Sequence, residues 1–546
     1  MSGINNLSVP VTIPNTGAKV LLEIYISIGS DIHRYIIESC SLLTEQYNFC
    51  RGIDYFEIEG YGFDGGYGKG YHREKGIAHI YFSDVSCPGR QLQKVIIFVD
   101  GFDAGNKQHH EQIWDQYLNS PFLENNSNKK LGDELLKAGY DIVILDQVKS
   151  QKYNSGGAGQ IENNGLVLAK LLDSLYSRYH STLLDDFIVV GASMGGLVSR
   201  FGLAYMETNN MPHHTKLFVS FDSPQNGASI PIGLQQTLDN FLQYGILSAS
   251  STLRNNAHFS IAAKQMLLNH SSSNSEYTQA HPHRQRWLNN VAAVGNYPKN
   301  LRMVAINNGN LVGSKKNING SPPEIPNINE KDKYFDMGLK RIGLPGCTSQ
   351  LCYVLEAKAY AQSQNGRYKT LDFYVNALTA PLHWVSPGVP FISNTRYAFP
   401  ENGTSHDIAP GSRLRQDPIE KNIGKNAINI YNFTNGLLFG AAGTLLQFPT
   451  NNLKYVNFIP SISSAAYIFP ANEPRNLYKN FTGVNLRKCA GTTPFDTVYA
   501  FADDMPHVGI NSLIANAFRN EVNFPKAKST CAGDCLDYRG PLKILF

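Results

Sequence analysis

Charge is scarce in this chain: 17% of its 546 residues are Asp, Glu, Lys or Arg, against 42% hydrophobic residues, and the formal net charge is only +4. Lys and Arg never run beyond pairs such as Lys129-Lys130 and Lys315-Lys316. The electrostatic footprint of a nucleic-acid partner is therefore lacking, and none is expected. Long hydrophobic runs are lacking too. The nearest, GLLFGAAGTLLQF at 436–448, is short and mixed, well below the roughly 18 apolar residues of a membrane-spanning helix. A soluble chain without a transmembrane anchor is the expectation. The opening residues MSGINNLSVPVTIP lack the basic-then-apolar pattern of a secretory signal, so either the protein stays inside or its signal was removed and replaced by an initiator Met. No period repeats along the chain and no low-complexity tract stands out.

Eight cysteines bear on the compartment. Cys347 and Cys352 form one close pair and Cys531 and Cys535 another, while Cys40, Cys50, Cys87 and Cys489 are scattered. The even count suits disulfides and a secreted protein, with free buried thiols as the alternative. Zinc is not expected, because these spacings fall outside the usual C-x2-C pairs.

The length suits two or three average domains, or one large α/β domain with insertions. From about residue 90 to 225, short apolar runs alternate with helix-period segments, as in parallel βα units. KVIIFVDGF (94–102), DIVILD (141–146), DFIVV (186–190) and KLFVSFDSP (216–224) read as buried strands. A helix is expected over LGDELLKAGY, with Leu131, Leu135 and Leu136 on one face and Gly139 as its stop, and another within GLVLAKLLDSLYSRY at 165–179. Strands too apolar to have a solvent face predict a doubly wound, mostly parallel sheet. Residues 1–90 read as antiparallel strands joining that sheet, and GFDGGYGKG (62–70) as a glycine-rich hairpin. In that segment five residues separate Gly62 from Gly68-Lys69 and Gly70 replaces the Ser/Thr of a phosphate loop. The core is expected over 91–310, with a cap insertion at about 230–300, and LRMVAINNG (301–309) as a further strand. Residues 311–450 read as an insertion or cap subdomain, and 451–546 as the C-terminal part of the core.

VVGASMGGLVSR (189–200) carries the chemistry. Gly191-Ala192-Ser193-Met194-Gly195 fits G-x-S-x-G, and a strand before it and a helix after it give the short pattern weight. Met194, Leu197, Val198, Phe201 and Tyr205 fall on one helical face. A serine on so tight a turn leaves no room for side chains two residues to either side, and the helix N-terminus stabilises an oxyanion formed on attack.

The order VIIFVDGFD, GYDIVILD, VVGASMGGLVSR, FVSFDSPQNGAS resembles the α/β-hydrolase superfamily, in its lipase and esterase-like branches. With FIPSIS and TPFDTVYAFADDMPHVGI it is similar to secreted lipase-like serine hydrolases of the Bacteroidetes type. The resemblance implies an α/β-hydrolase fold with a large inserted cap or lid, Ser193 as nucleophile, and an oxyanion hole from the N–H groups of Met194 and Phe102. Asp100 stands where many lipases have histidine. The base is expected to be a histidine in a loop after the last strand. Among fifteen histidines, His507 lies between a strand-like run and a helix, with His406 and His383 as runners-up. The acid is open. AINNGN offers only Asn307 and Asn308 where related lipases keep Asp-Gly, which leaves Asp222 after the sixth strand, then Asp496, then Asp503 and Asp504. Asp222 could equally be a carboxylate capping the turn before Pro224.

The expected activity is hydrolysis of carboxylic esters with an apolar or aromatic acyl part, through an acyl-enzyme and without metal or organic cofactor. Acyl transfer or amide cleavage by the same residues is one alternative. A non-catalytic surface or carbohydrate-binding protein on this scaffold is another.

Overall fold

The computed structural model describes the strand segments 20–28 and 31–39, then 53–103, 109–148, 156–243, 260–271, 279–312, 333–341, 353–361, 367–375, 392–398, 407–415, 444–447, 455–471, 477–523 and 543–545, less residues 69, 88, 408 and 482. The chain opens with β1 (Val20–Ile28), β2 (Asp31–Ser39), β3 (Ile53–Glu59) and β4 (Lys75–Tyr81), then β5 (Val95–Val99). A small separate hairpin, β6 (Phe122–Glu124) and β7 (Ser127–Lys129), precedes β8 (Asp141–Val148), β9 (Phe187–Ala192), β10 (Thr215–Phe221) and β11 (Arg302–Asn310). There follow β12 (Lys333–Arg341), β13 (Tyr353–Tyr360), β14 (Tyr368–Val375), β15 (Ile392–Ala398), β16 (Gly411–Arg415), β17 (Thr444–Gln447), β18 (Tyr455–Pro460), β19 (Thr497–Phe501) and β20 (Lys543–Leu545).

Eleven strands lie side by side in the order β1-β2-β3-β4-β8-β5-β9-β10-β11-β19-β20. Neighbours are antiparallel from β1 to β8 and parallel from β8 to β20. The fold is thus mixed α/β with a mainly parallel central sheet. The chain steps one way from β5 to β8 and the other way from β8 to β9, so the switch in strand order lies at β5 and β9. Their C-terminal ends form the crevice where such sheets bind ligands.

The apolar runs are explained by covering on both faces. Along β5, Val95, Ile97 and Val99 enter one core cluster with the helices Ile161–Tyr179 and Met194–Thr208. Ile96 and Phe98 enter the opposite cluster, with the helices Leu131–Lys137 and Ser512–Val522. This is the two-residue alternation of a strand with two buried sides. The helix expected from Leu131 ends before Gly139, whose φ of 87° only glycine adopts without strain. In the glycine-rich stretch, Phe63 bridges His72 antiparallel, as in a hairpin.

The segment at 230–300 divides between two supports. Its helix Ile232–Gln243 lies against the second sheet, where Thr370 Oγ1 donates to Gln236 Oε1 at 2.6 Å. Its helix Pro282–Ala293 instead buries Trp287 beside Phe201, ring centroids 6.0 Å apart, inside the first core cluster. The two large rings need burial, and the helical layer on the sheet face supplies it. Within 311–450 the described strands form an antiparallel sheet, β15-β14-β13-β12-β17, while β16 pairs with β18.

Among the described residues no helix is long and apolar enough to cross a membrane. The apolar run at 436–443 lies outside them. No disulfide joins two described residues: Cys87 is buried and Cys489 half-buried, and the other six cysteines lie outside the described residues.

Candidate active site

β9 runs into a turn at which Ser193 has φ 53° and ψ −127°, and the helix Met194–Thr208 starts immediately after it. A serine in this region costs roughly 1–3 kcal/mol, so the surroundings must enforce it. They do so through the backbone: the Ser193 N–H donates to Phe221 O at 2.9 Å, and the Gly196 N–H to Ser193 O at 3.1 Å. The two flanking glycines are demanded by space. A Cβ on Gly191 would sit 2.5 Å from Gly195 O, and one on Gly195 only 2.2 Å from Val99 O.

The imidazole of His507 spans two partners. Its Nε2 is 2.8 Å from Ser193 Oγ and its Nδ1 is 2.5 Å from Asp222 Oδ2. A carboxylate oxygen can only accept, so Nδ1 carries the hydrogen and Nε2 turns a lone pair toward the serine hydroxyl. Asp222 closes β10 at φ 45° and is fully buried. Its oxygens also receive the N–H groups of Asn308 and Val508, each at 3.3 Å. Val508 itself is held at φ 54°, costly for a β-branched residue.

The loop carrying His507 joins β19 to the helix Ser512–Val522 and is tied from three sides. Asn308 Nδ2 donates to Pro506 O at 2.7 Å and to Gly509 O at 3.0 Å. The His507 N–H donates to Arg413 O at 2.9 Å. The ring of Phe458 meets the imidazole edge-on, with centroids 4.7 Å apart.

Beside the serine, Met194 begins the helix, so its N–H belongs to the first turn, which has no intrahelical partner. The loop after β5 lies against Ser193: the Cβ position of Gly101 is 3.6 Å from Ser193 Oγ. Phe102 follows, half-buried against the first core cluster. Asp100 is buried, and its Oδ1 accepts the Gly101 N–H at 2.6 Å. Burial, reinforced by the neighbouring Asp146, pushes the Asp100 carboxyl well above the usual range. Burial also raises Asp146 to about 7. A buried carboxyl thus braces this loop through the Gly101 N–H.

The other carboxylates turn elsewhere. Asp496 Oδ2 accepts the Met303 N–H at 2.8 Å, locking β19 to β11. Asp504 takes Arg413 Nη2 at 2.8 Å and the Asn310 and Gly411 N–H groups at 3.0 and 2.9 Å. Asp503 is half-exposed, with its carboxyl raised by partial burial and by Asp504. His406 and His383 lie outside the described residues. Reading the sequence did not single out Arg413, Phe458 or the bracing role of Asn308. The one signal was the AINNGN stretch with Asn307 and Asn308, noted in the sequence only for lacking an aspartate. Among the described residues no group of three or more His, Cys, Asp or Glu is arranged to hold a metal.

No protein-family model matches the chain, and no curated protein matches it. Among solved structures it is similar to a rice cell wall degrading esterase, LipA from Xanthomonas oryzae, at 14% identity over 37% of this chain and 48% of that one, with a TM-score of 0.22. It is similar to Est1E from Butyrivibrio proteoclasticus at 14% identity over 30% and 51%, with a TM-score of 0.18. A third likeness is to the peroxisomal alpha-beta-hydrolase Lpx1 from Saccharomyces cerevisiae, at 12% identity over 46% and 74%, with a TM-score of 0.23. The first two matches span about half the length of those proteins. Likenesses this partial decide neither fold nor activity.

Proposed function

We propose that the protein is a serine hydrolase of the α/β-hydrolase fold that cleaves carboxylic esters through an acyl-enzyme on Ser193. The observation that carries this reading is the continuous contact Ser193 Oγ to His507 Nε2 and His507 Nδ1 to Asp222 Oδ2, at 2.8 and 2.5 Å. The order of elements supports it: serine after β9, carboxylate after β10, histidine after β19, all at C-terminal strand ends.

Ser193 Oγ attacks the ester carbonyl carbon while its proton passes to His507 Nε2. The negative charge gathers on the carbonyl oxygen, toward the N–H groups of Met194 and Phe102, whose dipoles need no reorganisation. Collapse breaks the bond to the leaving oxygen, which takes the proton from His507 and departs as the alcohol. Water, deprotonated by the same nitrogen, then splits the acyl-serine to release the acid and restore the hydroxyl. Asp222 fixes the imidazole tautomer and balances its charge during both steps. In this reading the described strands of 1–90 extend the sheet of a core built from the described parts of 91–310 and 451–546. In the same reading the helix Ile232–Gln243 and the antiparallel sheet it packs on belong to a cap that receives an apolar or aromatic acyl group. The chemistry asks for no metal or organic cofactor, and the protein works as a secreted enzyme.

The test is labelling with a fluorophosphonate probe, followed by turnover of p-nitrophenyl esters of increasing chain length. The wild type is expected to be labelled and Ser193→Ala to be unlabelled. Equal labelling of the two would end the proposal.

A further inference from the structure

The loop that carries His507 is held on its outer side by β16, a strand that belongs to the inserted region 311–450. The two run together as a short parallel bridge: the Arg413 N–H donates to Met505 O at 3.0 Å, and the His507 N–H returns to Arg413 O at 2.9 Å. Between these backbone bonds lies a buried ion pair. Arg413 Nη2 meets Asp504 Oδ2 at 2.8 Å, with side-chain exposures of 2% and 9%. The other oxygen of Asp504 gathers the Gly411 N–H at 2.9 Å, the Asn310 N–H at 3.0 Å and Asn310 Nδ2 at 2.7 Å. One carboxylate therefore joins the end of β11, the start of β16 and the histidine loop. The next residue along β16, Ser412, sets its hydroxyl 3.4 Å from His507 Nδ1.

A buried pair of this kind is a poor source of stability, because desolvating both charges offsets their attraction. What it supplies is geometry, since moving either partner leaves a charge unpaired in the interior. We propose that Arg413 and Asp504 are positioning residues for His507, and that β16 is thereby part of the nucleophile-activating machinery and not of a detachable roof. The proposal rests on the hydrolase reading above. Among the described residues, Asp222 from the end of β10 touches the imidazole, and the elements bonded to its loop carry the charges of Arg413 on β16 and of Asp503 and Asp504 in the loop itself. β11 and β18 present the neutral Asn308 and Phe458.

The experiment uses the full chain with p-nitrophenyl acetate, over a range of pH, in Arg413→Met, Asp504→Asn and the double variant, with thermal melting and fluorophosphonate labelling alongside. Each single change is expected to lower kcat by about 10- to 100-fold, the scale of a sub-ångström to 1 Å misplacement, with KM within about threefold. The double variant is expected to lose no more than the worse single one, because both act through one contact. The acid limb of kcat/KM against pH separates positioning from general weakening. Arg413→Met leaves the Asp504 charge beside the loop, favours the imidazolium and moves the limb to higher pH. Asp504→Asn leaves the cation and moves it lower. If a single variant does not fold, the double, which buries no unpaired charge, supplies the kcat and pH readings. Wild-type kcat and an unmoved acid limb in any folded variant would overturn the proposal, as would losses that multiply in the double. A Ser193→Ala protein labelled like the wild type would instead sink the hydrolase reading on which it depends.

Discussion

Ser193 and His507 lie 2.8 Å apart, yet they are held by opposite means. The serine turn is closed locally and by its sheet neighbours: Gly191 packs against Gly195 and Gly196 across the turn, Gly195 packs against Val99 of β5, and Phe221 of β10 takes the serine N–H. The histidine loop has one local turn bond, from the Gly509 N–H to Pro506 O at 3.0 Å, and its other supports are remote. It is held by Asn308, 198 and 201 residues distant from its two acceptors, and by Arg413, whose partner Asp504 is 91 residues away. Strain enforced by close packing can be written into a few residues. A loop braced by remote polar groups cannot.

The largest effect that would test this contrast is loss of the Ser193 hydroxyl, the proposed nucleophile. Ser193→Ala is expected to lower kcat on p-nitrophenyl acetate on the order of 10⁶-fold, as when one member of an interdependent set is removed. Asp222→Asn comes next, at roughly 10⁴-fold in kcat, because an amide in that place presents the wrong hydrogen to Nδ1. If turnover fell only a few-fold, Asp222 would be a turn-capping carboxylate after all.

Asn308→Ala sharpens the comparison further. Removing two hydrogen bonds to the histidine loop is expected to cost about 1–3 kcal/mol in thermal or urea denaturation and roughly tenfold in kcat, while fluorophosphonate labelling still occurs at Ser193. An elbow that lost its labelling altogether would show that the two supports are not separable.

The smallest effect belongs to the acids behind the loop after β5. Asp146 titrates near 7 in the folded protein because burial opposes its charge, against an ordinary value near 4 in the unfolded chain. A carboxyl raised on folding holds its proton more tightly in the native state, so stability falls as pH rises from about 4 to 7. The melting temperature is expected to decline across that window. Asp146→Asn, which has nothing to titrate, should lessen the decline and leave the share that belongs to Asp100.

The β5 to β10 region was legible because a parallel sheet covered on both faces turns each strand into an unbroken apolar run. Its helix boundaries were less so. The helix expected from Gly165 begins at Ile161, since its first turn buries Glu162 and Asn163 in place of apolar residues. Glu162 meets Tyr67, Gln265 and Asn290 at 2.6 to 2.8 Å. Burial of polar groups satisfied by distant partners leaves no periodic trace. The antiparallel sheet at 333–447 was equally hidden, because which strand pairs with which, as in β12 with β17, is chosen between segments far apart in sequence.

By itself the sequence determined the strand–turn–helix around Ser193 and the alternation that builds the parallel sheet, for these rest on local sterics and on repeated burial. It also narrowed the histidine to a loop beside the last βα unit. Only the tertiary structure decided which of Asp222, Asp496, Asp503 and Asp504 lies within hydrogen-bond reach of that imidazole, and that β16 is hydrogen-bonded to its loop. A hydrogen bond is settled within a few tenths of an ångström. Distances that fine between residues hundreds of positions apart come from the packing of the whole chain.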